Sequence, residues 1–441
     1  MNTPIFDFVK SYNEQNQSRF HMPGHKGVSF LGCEPLDITE IDGADVLYSA
    51  NGIIAKSQKN ATALFGTAKT LYSTEGSSLC IRAMLSTVAA KYKNPLVLAA
   101  RNIHKSFINA CALSDVEVEF IYSAANTHLC SCFVCADDIE NAIKSAPRPV
   151  RAVYLTSPDY LGNIGDISAI SEVCRKYGVL LLVDNAHGAY LNFLSDNTHP
   201  IHLGADICCD SAHKTLPVLT GGAYLHIGQS CDKEFGALCE KMLAVHASSS
   251  PSYLILQSLD LCNKYLAENY NKRLVNCIEK INNTKAHLIK TGFCIKNSEP
   301  LKIVIDALSS GYTGDRLAKL LIDNKIIPEY YDYEFVVLMA SPNNTDADFE
   351  RLMGVLNEAN APIIIDNEIS VQRHERVLSL REAVFSASET VNIADSLGRI
   401  CAAPTVSCPP AIPIVLSGER INENDIALMQ KYGIKNIDVV K

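Results

Sequence analysis

The chain has 441 residues, 47% of them hydrophobic and 20% charged, which is enough apolar material for a large core and too little charge for a disordered polymer. Its net charge of -9 and pI near 5.8 argue against general nucleic-acid binding, which rests on excess Lys and Arg neutralising phosphates. A small cationic substrate stays open, because local fields need not follow net charge.

At roughly 100–200 residues per domain, the length allows two or three domains. The 16 cysteines are scattered through apolar stretches, with Cys208 and Cys209 adjacent, and read as free thiols in a reducing cytosol. The start, Met1-Asn2-Thr3-Pro4-Ile5, lacks the basic and apolar regions of a signal peptide, and the apolar run Val179–Val183 is too short to span a bilayer. The expectation is a cytoplasmic protein without membrane or nucleic-acid partners.

In chain order, residues 1–55 carry Pro and Gly turns and read as an arm with loops. An α/β pattern then begins, and residues 56–299 are expected to form one large domain. Gln58–Phe65 reads as a helix, Leu71–Thr74 as a short strand, and Gly76 to Ala90 as a helix. Further buried strands are expected at Leu96–Ala99, Val116–Ile121, Ala152–Thr156, Val179–Val183 and Ile207–Cys209, with helices at Ala136–Lys144 and Ile167–Tyr177. Strands alternating with helices imply a mainly parallel sheet. Residues 300–370 read as a smaller α/β domain, with strands Lys302–Ile305 and Glu334–Met339 and helices Gly314–Asp323 and Asp346–Asn357. A final segment, 371–441, opens at Ser379–Ala387 and ends with a helix at Glu423–Tyr432.

Four constellations carry chemistry. Asp210-Ser211-Ala212-His213-Lys214-Thr215 places a lysine among hydroxyls and an imidazole on a loop after a buried strand. Such a lysine can form a Schiff base when its charge is suppressed, and its neighbours can hold a phosphate; an exposed loop lysine would give the same local pattern. Leu180-Leu181-Leu182-Val183-Asp184 is an apolar strand ending in a carboxylate, where ligands of open α/β sheets sit. Asp184 can pair with a pyridinium nitrogen or simply cap a helix. Thr74-Glu75-Gly76-Ser77-Ser78 opens a helix and can form an anion site, or Ser77 can be an ordinary cap. His104, in Arg101-Asn102-Ile103-His104-Lys105-Ser106, can stack on an aromatic cofactor or be a polar loop residue. Cys130, Cys132 and Cys135 with His128 offer zinc-type ligands, but a second Cys-x-x-Cys is missing, and unliganded cysteines are the favoured reading, with no metal.

Together these segments resemble the fold-type-I pyridoxal-phosphate enzymes, those with the aspartate-aminotransferase fold. More narrowly the chain resembles the Orn/Lys/Arg decarboxylase family in its short form without an N-terminal receiver-like domain. The resemblance spans nearly the whole length: His21-Met22-Pro23-Gly24-His25-Lys26-Gly27, Asp37-Ile38-Thr39-Glu40, Thr156–Gly162, Ser211–Thr215, Thr220–Ala223, Ser250–Tyr253, Ser379–Ala383 and Cys408–Pro413. It implies a large cofactor-binding domain with a mainly parallel sheet, a smaller C-terminal α/β domain, and a homodimer or higher homo-oligomer with the His21–Gly27 loop near the interface. It implies pyridoxal 5'-phosphate as cofactor and a basic amino acid (arginine, lysine or ornithine) as substrate, decarboxylated to its amine. Lys214 is then the Schiff-base lysine, Asp184 the partner of the pyridine nitrogen, and His104 the residue stacked on the ring. Gly76, Ser77, Ser211 and His213 are the phosphate contacts, and His187 lies beside the ring oxygen. His213 or Lys214 is the proton donor to Cα. Acidic candidates for the cationic end of the substrate are Asp37, Glu40, Asp45 and Glu382, each of which reads more readily as a solvated or structural charge.

The sequence departs from the family pattern at Glu75, at Leu79-Cys80-Ile81, at Asp159 and at Asn185. A carboxylate at position 75 would repel a phosphate unless it points away. Two other readings are a different reaction on the same scaffold, such as transamination, and a non-catalytic cofactor-binding paralogue.

Overall fold

The computed structural model describes the whole chain except residues 123–127, 364–370 and 405–411. Two compact units emerge. The first comprises Met1–Pro95, Arg151–Leu155 and Ile167–Asn271, and the second Leu96–Val150, Thr156–Asp166 and Lys272–Lys441.

The first unit is built on strands in the order Lys69–Ser73, Ala223–Ile227, Ile207–Asp210, Leu180–Asp184 and the middle of Val150–Thr156. Leu180–Asp184 and Ile207–Asp210 are parallel, and Ala223–Ile227 runs antiparallel to both its neighbours. These strands are buried almost without interruption, hence on both faces, which is why they read as short and largely hydrophobic runs. Helix Gly76–Lys91 buries Leu79, Cys80, Ile81, Ala83 and Met84 in succession, so the unusual Leu79-Cys80-Ile81 run is core packing.

The expected N-terminal arm contains more structure than its turns suggest. Pro4–Glu14 is a helix, and it buries Ile5, Val9 and Tyr12, a stripe at helical spacing. The backbone N–H groups of Ile5 and Phe6 donate to the buried Asp260 carboxylate. Helix Ile53–Phe65 begins five residues before the expected one, because Asp45 supplies its N-terminal acceptor. Asp45 accepts from the N–H groups of Gly52, Ile54 and Ala55 at 2.8–3.2 Å, and from Val46 and Asn51 through its other oxygen.

The second unit holds the parallel pair Leu96–Ala100 and Glu117–Ile121, with helix Lys105–Ser114 between them in sequence. A four-stranded antiparallel sheet follows in the order Tyr330–Tyr331, Phe335–Met339, Lys302–Asp306, Cys294–Lys296. Helices Gly314–Asp323 and Asp346–Val355 belong to the same stretch of chain. The final segment forms a further three-stranded antiparallel sheet, Ser388–Asn392, Asn436–Val440 and Cys401–Ala403. Val304, Val337, Cys401, Val415, Leu428, Ile437 and Val439 share one apolar cluster beneath the two small sheets.

Three arginines tie the C-terminal segment down within this unit. Arg101 donates to the carbonyls of Pro413 and Ile414, Arg376 to that of Val118, and Arg381 to those of Ala112 and Leu113. The last pair caps the carboxyl end of helix Lys105–Ser114 with a cation. The Cys408–Pro413 motif lies outside the described residues up to position 411. Among the described residues, no helix is long and apolar enough to cross a membrane.

All the described cysteines are free, and only Cys135 and Cys294 among them are exposed. The four zinc-type residues, Cys130, Cys132, Cys135 and His128, do not converge on one point. Cys132 donates to the Ile121 carbonyl, and Cys135 is the N-cap of helix Ala136–Ser145. His128 and Cys130 gather instead with Asp332. His128 Nε2 lies 2.9 Å from Asp332, while its Nδ1 accepts from the Cys130 backbone N–H. Both ring nitrogens are thereby engaged in hydrogen bonds.

Candidate active site

Strand Ile207–Asp210 ends at Ser211, and the next four residues, Ala212–Thr215, form a single helical turn rather than the expected loop. The turn closes through Lys214 N–H to the Ser211 carbonyl at 3.0 Å. His213 is fixed twice by the Gly222 carbonyl, through its backbone N–H at 3.2 Å and Nδ1 at 3.0 Å. A carbonyl only accepts, so Nδ1 carries the ring proton. Gly222 could not be replaced freely, since a Cβ there would lie 2.3 Å from Val218.

Lys214 Nζ meets His187 Nε2 at 3.2 Å. With Lys214 as ammonium, Nε2 accepts and the His187 ring proton sits on Nδ1. His187 is three residues past the end of strand Leu180–Asp184, so this contact joins the ends of two adjacent parallel strands. Asp184 is the last residue of that strand and is buried. Its carboxylate accepts from Tyr154 OH at 3.2 Å, the Ala186 N–H at 3.2 Å and the Cys209 thiol at 3.7 Å. Burial pushes the Asp184 carboxyl above the ordinary range, against the opposing pull of the Lys214 charge and these donors. A buried carboxylate of this kind is suited to a cationic partner.

The next residue, Asn185, is fully buried and donates through Nδ2 to Asp210 at 2.7 Å. Asp210 also accepts from His199 Nε2 and His226 Nε2, each at 3.0 Å. Burial alone would raise the Asp210 carboxyl, but the two imidazoles hold it well below the ordinary range. An amide at position 185 suits a neighbour that is a carboxylate.

The third element is the start of helix Gly76–Lys91. Gly76 has φ +69°, and a Cβ built there would meet no atom within 4 Å, so the helix N-terminus faces open space. Beside it, Ser211 Oγ donates to Ser77 Oγ at 2.7 Å. The Gly76 N–H is held by the Gly221 carbonyl at 2.7 Å, which docks the Thr220–Gly222 turn onto the helix start. Glu75 turns away from this cradle. Its Oε1 accepts from the Ser248 N–H at 2.8 Å, and its Oε2 lies 3.9 Å from Arg82. The repulsion expected from a carboxylate here is therefore avoided. Open space, paired hydroxyls and a helix dipole without a side-chain cap suit a phosphate, and the lysine and buried carboxylate suit the rest of pyridoxal phosphate.

His104 belongs to the second unit, where it is the N-cap of helix Lys105–Ser114. Its Nδ1 accepts from the Ser106 N–H at 3.1 Å and lies 2.9 Å from Ser106 Oγ, which fixes the ring orientation.

Two of the four candidate substrate acids are structural. Asp45 is saturated at the helix start described above. Glu382 closes a capping box with Ser379, accepting from its N–H and Oγ while the Glu382 N–H donates back. Asp37 pairs with His25 at 3.2 Å, and Glu40 is exposed. The sequence reading missed Tyr154 and the Asp210 cluster. Their partners lie on neighbouring strands, and strand order leaves no trace in local spacing.

A family model described as Orn/Lys/Arg decarboxylase, major domain, matches residues 3–308, and one for the C-terminal domain of the same family matches residues 370–432. An uncharacterised protein of Bacillus subtilis (strain 168), YaaO, is 29% identical over 460 residues, covering 98% of this chain and 94% of that protein. A protein of the same organism named arginine decarboxylase is 27% identical over 469 residues, covering 99% and 94%. Among solved structures, lysine decarboxylase A from Pseudomonas aeruginosa superposes with a TM-score of 0.80 at 16% identity, covering 99% of this chain and 80% of that one. The Francisella novicida lysine decarboxylase LdcF gives 0.79 at 17% identity, covering 100% and 81%. With the fold shared and both family models matched across most of its length, the chain belongs to the Orn/Lys/Arg decarboxylases, pyridoxal-phosphate-dependent amino-acid decarboxylases of fold type I.

Proposed function

We propose that the protein decarboxylates a basic amino acid, arginine or lysine ahead of ornithine, in the cytoplasm and as a homodimer. The observation that carries this reading is the Lys214–His187 contact at 3.2 Å beside the buried Asp184. It gives one amine, one imidazole and one carboxylate at adjacent strand ends, the donor set a pyridine aldehyde requires. The curated relative named arginine decarboxylase, aligned over nearly the full length of both chains, supports arginine. The solved lysine decarboxylases keep lysine in the set.

Bound pyridoxal phosphate supplies the electron sink that lets the bond from Cα to the carboxylate break. The chain's residues do the rest. Lys214 would carry the cofactor, and Asp184 would keep its ring nitrogen protonated by offering a buried negative charge. Gly76, Ser77, Ser211 and His213 would hold the phosphate, and His187 would lie beside the ring oxygen and orient Lys214. Lys214 Nζ or His213 would deliver the proton that replaces CO₂ at Cα. Dimerisation is supported by the loop that follows the first helix, where Phe20, Met22, Phe30 and Leu31 are all largely exposed.

The test is incubation of cofactor-loaded protein with arginine, lysine and ornithine separately, followed by mass analysis. Agmatine or cadaverine with stoichiometric CO₂ is expected. A keto acid in place of the amine would establish transamination, and no product from any of the three would establish a non-catalytic paralogue. The feature that pointed to the latter, Glu75, is turned onto Ser248 and Arg82.

A further inference from the structure

The Asn185–Asp210 contact joins two segments that matter most to this site. Asn185 stands between Asp184 and His187, and Asp210 stands immediately before the Ser211–Thr215 turn. Both are fully buried. The backbones also meet, through Asn185 N–H to the Cys209 carbonyl at 2.9 Å.

The cluster around Asp210 is oriented from outside inward. His199 Nδ1 accepts from the Ile201 N–H at 3.3 Å, so the ring proton is on Nε2, which faces Asp210. His226 Nδ1 is held by Thr70 Oγ1 at 2.9 Å, and Thr70 by Thr67 at 2.8 Å. The His226 ring centroid lies 4.5 Å from that of Phe65. Two imidazole donors thus reach Asp210 already aimed, and Asn185 Nδ2 and the Cys208 thiol, at 3.8 Å, are its other donors.

This fixes the Asn185 amide. Rotating it would set its oxygen against the Asp210 carboxylate. As it stands, Oδ1 has no hydrogen-bond partner among the described residues. A Cβ at Gly188 would fall 1.9 Å from that oxygen, so the residue after His187 has to be glycine. The chain leaves a buried amide oxygen unsatisfied to keep the nitrogen on Asp210.

We propose that Asp210, acting through Asn185, is a positioning residue that holds the strand end bearing Asp184 and His187 against the turn bearing Lys214. The pair works with one carboxylate and one amide. Two carboxylates 2.7 Å apart would have to share a proton, and two amides would leave His199 and His226 without their anion. The charge belongs on position 210 because that is where two aimed imidazoles meet it. This inference rests on the proposed roles of Lys214 and Asp184.

A swap cycle tests it on the full-length protein: Asn185→Asp, Asp210→Asn and the double variant, with pyridoxal phosphate affinity, the pH titration of the visible absorbance and apo-protein Tm measured for each. Asn185→Asp is expected to weaken cofactor affinity by about tenfold or more and to move the absorbance titration. The double variant restores the carboxylate–amide pair and should recover part of the affinity lost in Asn185→Asp, the remainder being lost because the charge no longer faces His199 and His226. Effects that merely add in the double variant, or an Asp210→Asn protein with wild-type affinity and titration, would overturn the proposal. If the single variants fold poorly, His199→Gln removes one aimed donor more gently. It should raise the cofactor Kd several-fold with little change in Tm, and an unchanged Kd counts against the proposal. The apo Tm cycle reads the 185–210 coupling without cofactor. A wrong assignment of Lys214 would instead show as visible absorbance surviving Lys214→Ala.

Discussion

Lys214→Ala removes the amine that faces His187, so the holo-protein is expected to lose both its visible absorbance and its turnover. Absorbance and rate that survive in a purified, folded variant would place the reactive amine elsewhere. Asp184→Asn should lower kcat on the order of 10–100-fold, the range for losing a hydrogen bond to a charge. The same variant carries a stability signature. Burial raises the Asp184 carboxyl in the folded apo-protein above its unfolded value, so the wild-type side chain favours folding at low pH and that contribution fades as pH rises through the raised value. Apo Asp184→Asn should therefore melt above apo wild type at neutral pH, with the gap closing near pH 4; an equal Tm at both pH values would contradict the burial argument. Lys214 and Asp184 are legible in the sequence because each signal is local: a lysine among hydroxyls after a strand, and a carboxylate ending an apolar run. Asp45 and Glu382 mislead for the opposite reason. Their partners are backbone N–H groups, which every residue has, although Ser379-x-x-Glu382 is itself a capping-box spacing. With those two committed to helix ends, Asp37→Asn and Glu40→Gln are the neutralisations expected to raise KM for the cationic substrate, while Glu382→Gln leaves KM unchanged.

Helices are the elements the sequence announces best, because an apolar stripe survives at their spacing; Ile167–Tyr177 and Gly314–Asp323 run over the residues the pattern gives. Strand Ser388–Asn392 is nearly all exposed and polar, so it has no alternation to read and is defined only by pairing with Asn436–Val440. The loop 28–34 is held in a third way. Glu34 gathers the N–H groups of Phe30, Leu31 and Gly32 at 2.6–3.0 Å. Burial pushes the carboxyl up more than any one donor pulls it down, but the backbone donors together outweigh it and bring the Glu34 carboxyl down to about 2. A depressed carboxyl contributes stability above its unfolded value and loses it as pH falls through the folded one. Hydrogen-exchange protection at Phe30–Gly32, measured against the intrinsic rate at each pH, should therefore be high at neutral pH and fall as pH drops from the ordinary glutamate range through about 2. A Glu34→Gln protein should show no such acid step, and identical exchange in both proteins would remove Glu34 from the account. Asp45→Ala should cost on the order of 2 kcal/mol at the start of helix Ile53–Phe65, read as a lower Tm.

For the molecule as a whole, the apolar side chains that Glu34 helps to present, Phe30 and Leu31, point to a partner surface. Light scattering is expected to give a homodimer at assay concentration, with activity falling on dilution as the dimer separates. A fully active monomer would refute that assembly. The family and fold are legible from motif spacing over nearly the full length, whereas the partition into two units is not, since Arg151–Leu155 joins the first unit from the midst of the second. The distribution of thiols has a practical consequence for separating those units in the laboratory. Burial lifts Cys174, Cys239 and Cys262 in the first unit to about 12, and Cys277 in the second to about 11, so these sulfurs stay protonated and shielded while the chain is folded. A brief pulse of iodoacetamide on native protein would mark Cys135 and Cys294 first, the two exposed thiols. Repeating the pulse along a denaturant series, and mapping the labelled peptides, turns the chain's own sulfur into a set of position-stamped clocks that report separately when each unit opens.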